Sequence, residues 1–238
     1  MSNAFDLLLD LVFPRSCLLC SSRIQAQPLH GVCTKCLQAV GWRDVSLCDR
    51  CGVPRHARTS CSTCEQSKYV FDWVWSYGPY EGDLKRLIHA FKFENDRGIG
   101  RDLALFMTGS GILKERLAGI TGLVPVPLHP LKEKNRGYNQ ARILAEELAK
   151  SMGVRLLDSV LIKSRPSVPQ TDLGKQARWQ NVSGTFTIVN PKAIRGWDLV
   201  LVDDVMTTGA TTHHCAELLL KAGAKRVGVV VVARSVAE

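Results

Sequence analysis

No stretch of this 238-residue chain is long enough to cross a bilayer as a helix: its most apolar run, residues 227–233 between Arg226 and Arg234, falls far short of the ~20 residues required. The first residues lack the basic start and continuous apolar run of a secretion signal. Phe5, Leu8, Leu9 and Val12 instead alternate with Asp6 and Asp10, as in an amphipathic helix, so a cytoplasmic location is expected. No Gly-Lys-Ser/Thr occurs, which excludes a Walker-type nucleotide loop. No internal repeat is visible apart from paired cysteines. Hydrophobic residues make up 45% of the chain, enough for a buried core, and wholesale disorder is excluded.

Cysteine is plentiful and unevenly placed, with eight of the nine lying before residue 65. They form four C-x-x-C pairs: Cys17/Cys20, Cys33/Cys36, Cys48/Cys51 and Cys61/Cys64. A two-residue gap lets one tight turn aim both sulfurs at one ion, and two such turns complete a tetrahedron. Short loops favour local closure into Cys17/Cys20/Cys33/Cys36 and Cys48/Cys51/Cys61/Cys64; interleaved partitions, and redox dithiols, are the alternatives. Two structural zinc ions are expected. Closed Cys₄ sites leave no position for chemistry, so they organise or recognise rather than catalyse.

Lys and Arg exceed Asp and Glu, 31 against 22, a net charge of +9. Eight thiolates on two Zn²⁺ would lower this to about +5. That surplus points to phosphates, nucleic acid or other acidic ligands.

The texture changes near residue 69, which predicts a zinc-ribbon domain over 1–68 and a second domain over 69–238. Alternating Phe71, Trp73, Trp75 and Tyr77 read as a strand ending at Gly78-Pro79. Helical spacing follows at 83–93, 101–118 and 139–152, the last ending at Gly153, and a helix over 211–222 closes at Gly223. Strands are expected at 123–127, 155–162, 185–189, 199–203 and 227–233, with a polar stretch over 163–183. This alternation predicts an α/β fold with a mostly parallel sheet flanked by helices.

The most informative segment is the apolar strand ending in Asp203-Asp204, then Val205, Met206, Thr207, Thr208, Gly209, Ala210 and Thr211 leading into a helix. Ligands of such sheets bind outside the carboxyl ends of the strands. Loop amides, the Thr207, Thr208 and Thr211 hydroxyls and the positive helix end form a cradle for a phosphate dianion. Two carboxylates would repel that phosphate, so they must face vicinal hydroxyls or a metal; a phosphorylated ribose satisfies both demands.

The pattern resembles the 5-phosphoribosyl 1-diphosphate (PRPP) motif of type I phosphoribosyltransferases. The resemblance implies that Asp203 and Asp204 bind the ribose 2′- and 3′-hydroxyls and that residues 207–211 bind the 5-phosphate. It also implies a pyrophosphate loop at Pro127, Leu128, His129 and Pro130. Arg136-Gly137-Tyr138-Asn139-Gln140 opens a helix, while Gln170-Thr171-x-Leu173 and Arg178-x-x-Asn181 occupy the family's mobile-loop position. Two basic clusters, 132–142 and 163–178, account for the second domain's charge surplus. Arg136, Lys175 and Arg178 are therefore the catalytic cations expected to act on Mg²⁺-bound PRPP.

The whole arrangement resembles the ComF family. Natural transformation is the implied setting, with single-stranded DNA and a competence helicase or translocase as implied partners. A non-catalytic PRPP-fold adaptor is the alternative. Any hood over the site must come from residues 79–118 or the zinc module. His213 and His214 read as partly exposed helix residues, and Cys215 as a buried small hydrophobe. Trp179 reads as a base-stacking or packing residue, and Phe91 and Phe93 as core around one outward cation, Lys92.

Overall fold

The computed structural model describes residues 15–24, 29–55, 61–67, 69–94, 96–165, 179, 182 and 184–236. In chain order, helices α1 (Thr34–Val40) and α2 (Ser62–Ser67) lie in the cysteine-rich part. The α/β part begins with β1 (Trp73–Pro79), α3 (Gly82–Phe93), α4 (Arg97–Thr108), α5 (Gly111–Leu117) and β2 (Gly122–Pro125). Then come α6 (Pro130–Arg136), α7 (Gln140–Met152), β3 (Arg155–Leu156), β4 (Leu161–Lys163) and β5 (Phe186–Ile188). A 3₁₀ turn (Pro191–Ile194), β6 (Asp198–Met206), α8 (Ala210–Lys221) and β7 (Arg226–Arg234) complete it.

Five strands form one parallel sheet in the order β1-β7-β6-β2-β3, and β4 and β5 pair separately and antiparallel. A strand's side chains alternate between faces, so the all-apolar run of β6 feeds two cores. Val200 and Val202 join the cluster beneath α3, α4, α5 and α7, whereas Leu199 and Leu201 join the one beneath α8 and β5. Gly228 in β7 admits the Trp73 indole, which would lie 2.3 Å from any added Cβ.

Local chemistry explains the helix limits. The single helix expected over 101–118 is two, because Ser110 accepts from the Leu113 amide and starts α5 afresh. α7 begins at its Asn139 cap and ends at Gly153, whose φ of 65° is the left-handed stop expected of glycine. α6 is an unforeseen element in the supposed loop, with Pro130 in its first turn, His129 capping it, and Gly137 ending it at φ 78°. The strand expected over 155–162 is broken in two, β3 pairing with β2 and β4 with β5.

The cysteine part is built into both cores. Leu29, Val32 and Leu37 are buried among the residues of α3 and α4, while Cys48 and Cys51 belong to the opposite cluster. Between them, the ribbons cover the outer edge of β1: the Trp42 amide donates to Tyr77 (3.0 Å) and the Val74 amide to Asp49 (2.9 Å). No helix among the described residues is long and apolar enough to cross a membrane.

Candidate functional site

The carboxyl ends of β6 and β2 meet because Pro125 pairs with Val202 and the Val126 amide donates to the Val202 carbonyl at 2.9 Å. This pairing brings residues nearly eighty positions apart to one cleft of about 770 Å³. Asp203, Asp204, Val205, Met206, Thr207, Thr208, Gly209, Ala210 and Thr211 all line it, as do Pro127, Leu128 and Arg136. His129 and Pro130 do not line the cleft; they are spent on starting α6, where the His129 ring nitrogen accepts from the Leu131 amide at 3.3 Å. Lys175 and Arg178 lie outside the described residues.

The two acids belong to the strand rather than to the loop beyond it. β6 continues to Met206 because Val205 and Met206 still pair with Ala233 and Arg234. Alternation therefore sends successive carboxylates to opposite faces of the sheet end. Asp204 pairs with Lys92 on α3, Nζ to Oδ1 3.0 Å. Burial lowers the Lys92 pKa, but Asp204 and then Asp203 more than offset it, leaving the ammonium above its ordinary range. Asp203 is pushed up to about 7, first by burial and then by the Asp204 charge.

Phe91 is buried as expected, but Lys92 turns inward and Phe93 is the exposed neighbour at 61%, which reverses those two positions. The i to i+4 geometry of α3 explains this: Tyr80 precedes the helix, and Lys85, His89, Lys92 and Phe93 hang from its cleft side. α3 falls in the 79–118 interval expected to supply a hood, and no described residue of the cysteine part lines the cleft.

Arg136 is held in place rather than left in solvent. It donates to Gln140 Oε1 at 3.1 Å and stacks over Phe93 at 5.0 Å. Tyr138 donates to the Phe91 carbonyl, and Asn139 donates to the Val126 carbonyl at 3.0 Å while capping α7. The Arg-Gly-Tyr-Asn-Gln segment therefore fastens α3 to the end of β2. Opposite it, Lys163 of β4 enters the cleft beside Phe186, its pKa lowered by burial and then by Lys132.

Between Met206 and α8, Gly209 adopts φ 77°, and the Thr212 hydroxyl donates back to its carbonyl at 3.0 Å. A helix's first amides have no acceptor within the helix, so the start of α8 offers donors to an anion. Cys215, fully buried, has its thiol pKa pushed up by burial and then by Asp203, and is a packing residue. His213 and His214 are half-buried, and Trp179 lies edge-on to His213 at 4.8 Å and near Tyr69 at 6.2 Å.

The eight clustered thiols fall into the two local quartets, each with sulfurs within 4.8 Å of one another. Sulfur separations of 3.7 Å (Cys20 to Cys33), 3.7 Å (Cys48 to Cys64) and 3.5 Å (Cys51 to Cys61) are close to the ~3.8 Å edge of a zinc tetrahedron with 2.3 Å bonds. Both quartets are compatible with structural zinc.

Residues 8–65 match the double zinc ribbon domain and residues 135–237 the phosphoribosyl transferase domain. DNA utilization protein YhgH of Salmonella typhi is 32% identical over 223 residues, 92% of this chain and 96% of that protein. Competence protein F of Haemophilus influenzae is 28% identical over 224 residues, with the same two coverages. Among solved structures, the allosteric regulatory enzyme of purine biosynthesis aligns at TM-score 0.37 and 22% identity, over 56% of this chain and 25% of that one. With relatives matched over 92% of its length and both modules recognised in the same order, the chain belongs to the ComF family.

Proposed function

We propose that the cleft binds Mg²⁺–PRPP and that the protein acts in the handling of incoming single-stranded DNA. The carrying observation is the convergence of Asp203, Asp204 and the 207–211 loop with Pro127, Leu128 and Arg136 on one cavity. In this reading, loop amides and the α8 N-terminus take the 5-phosphate, and the acids accept from the ribose hydroxyls. Arg136 faces the pyrophosphate, with Lys175 and Arg178 as the further cations of that role. Mg²⁺ arrives with the ligand: Asp204 is already paired with Lys92, so the two acids do not make a vacant chelate. Turnover would break the C1–O bond to pyrophosphate as a nitrogen acceptor bonds to C1, with the residues of α3 at the acceptor side.

The DNA role draws on the relatives' names and on a net charge that stays positive, at about +5, with both zinc sites loaded, which suits a polyanion. We place the zinc-ribbon domain at 1–68 and the phosphoribosyltransferase-type domain at 69–238. Calorimetric titration of Mg²⁺–PRPP into wild type and Asp203→Asn/Asp204→Asn tests the reading. Wild type should bind and the double variant should lose at least about tenfold in affinity; absence of heat with wild type overturns it. Incubation with PRPP and a panel of bases or DNA, followed by pyrophosphate detection, then separates an enzyme from a PRPP-binding adaptor.

A further inference from the structure

The geometry points to Arg234 as a positioning residue that orients the phosphate loop from the second cysteine cluster, so that metal at that cluster and phosphate in the cleft are linked. This inference rests on the phosphoribosyl reading of the cleft. Arg234 is the last residue of β7 and is 2% exposed. Its Nε donates to the Cys51 carbonyl at 2.8 Å, within the second quartet. Its Nη1 donates to the carbonyls of Met206 at 2.9 Å, of Thr207, and of Ser235 at 2.7 Å. One guanidinium thus clasps a zinc-site turn and the first two carbonyls of the loop.

A second strut runs in parallel. Arg50, between Cys48 and Cys51, donates to the Tyr69 carbonyl at 2.6 Å, and the Tyr69 hydroxyl donates to the Thr208 carbonyl at 2.8 Å. The same ring lies where a Cβ on Gly209 would be only 2.7 Å away. Carbonyls 206, 207 and 208 are therefore all tied to one side. In a trans peptide, C=O and N–H point in opposite directions. Tying those three carbonyls back turns the amides of Thr207, Thr208 and Gly209 toward the cleft, where an anion would meet them.

Charge supports the same coupling. The four acceptors of Arg234, reached from Nε and Nη1, are all carbonyls, which carry no formal charge to balance the buried cation. A zinc-loaded Cys₄ cluster carries two net negative charges, so loading the second quartet supplies that balance. By linkage, whatever loss of zinc costs in phosphate affinity, bound phosphate must return in zinc retention.

The test uses the full, zinc-loaded chain, with zinc affinity measured by equilibrium competition against a chelator, with and without saturating Mg²⁺–PRPP. The affinity for one of the two ions should rise by about fivefold or more and that for the other should not change. Arg234→Met should weaken PRPP about tenfold and abolish the rise, and Arg234→Lys, able to reach some of the carbonyls, should restore part of both. If wild type binds PRPP but both zinc affinities are unaltered, the coupling is refuted; so it is if Arg234→Met binds PRPP normally. If wild type binds no PRPP, the phosphoribosyl reading falls first and this inference with it. Should Arg234→Met fail to fold, the wild-type zinc affinities alone decide.

Discussion

The first ribbon is fastened to the α/β part by an acid and the second by a cation. Asp102 of α4, fully buried, accepts from the amides of His30 (2.8 Å), Gly31 (2.8 Å) and Val32 (3.0 Å). Arg234 instead donates to carbonyls, one from the ribbon and two from the phosphate loop. The acid anchors its ribbon to a helix whose described residues do not reach the cleft; the cation shares its donors between ribbon and cleft. Two modules of one kind can therefore differ in role: the first stabilises, whereas the second also sets backbone orientation at the candidate site.

Removing both ions should have the largest effect, since structural zinc contributes on the order of 10 kcal/mol per site. Chelation should expose the amides of residues 29–55 to hydrogen exchange before those of β6 and β7, and metal analysis of reduced protein should return close to two zinc ions per chain. A value near one would break the comparison at its root.

Next comes Asp102→Asn, which strips charge from a fully buried acceptor of three amides and should cost about 3 kcal/mol in urea denaturation. PRPP affinity should change less than about twofold. A loss as large as that expected for Arg234→Met would show that the first ribbon also governs the cleft.

A smaller effect concerns pH. Burial and then the Asp204 charge push the Asp203 carboxyl up to about 7 in the folded chain from an ordinary 3.8, so the folded state holds a proton that the unfolded state has lost between about pH 4 and 7. Its contribution to stability is therefore most favourable below pH 4 and is lost as pH rises through 7. Ligand binding runs the other way, because only the ionised carboxylate accepts from two hydroxyls. PRPP affinity should rise about tenfold from pH 6 to 8 on this account, and the difference from Asp203→Asn isolates it from the ligand's own ionisation. An identical slope in the variant would remove Asp203 from ligand contact.

The smallest effect is expected at the second ribbon's outer tie, where Arg116 meets the 79%-exposed Asp49 carboxylate. Arg116→Ala should shift thermal or urea stability by under about 1 kcal/mol. A larger loss would mean that the stacking of Arg116 over Trp73 (5.6 Å) matters more than its charge.

What could be read from the chain was local. Four C-x-x-C pairs and the Asp-Asp to Thr-Gly segment each complete their geometry within a few residues, so spacing located both cysteine quartets and the strand-to-helix turn after β6, although β6 runs to Met206 rather than ending at Asp203. Lys92 read as an outward cation, and Lys163 read only as one charge of the 163–178 cluster, because each reaches the cleft only through long-range packing. Lys92 needs α3 laid over the sheet end, and Lys163 needs β4 to pair with β5 across an intervening 22 residues. The Phe-Lys-Phe pattern misled for the same reason: periodicity shows which residues share a helix face, but not that a buried carboxylate waits beneath a lysine. Arg234 was hidden too, since a basic residue closing an apolar strand ordinarily signals its emergence into water.

The covering of β1 by ribbon backbone has a consequence for handling the protein. With Trp42 and Asp49 withdrawn, a border strand bearing Trp73, Trp75 and Tyr77 would present unpaired peptide groups beside large aromatic side chains. Such a margin invites another copy to add its own strand, so demetallated preparations should self-associate into insoluble material, and purification media should be free of strong chelators.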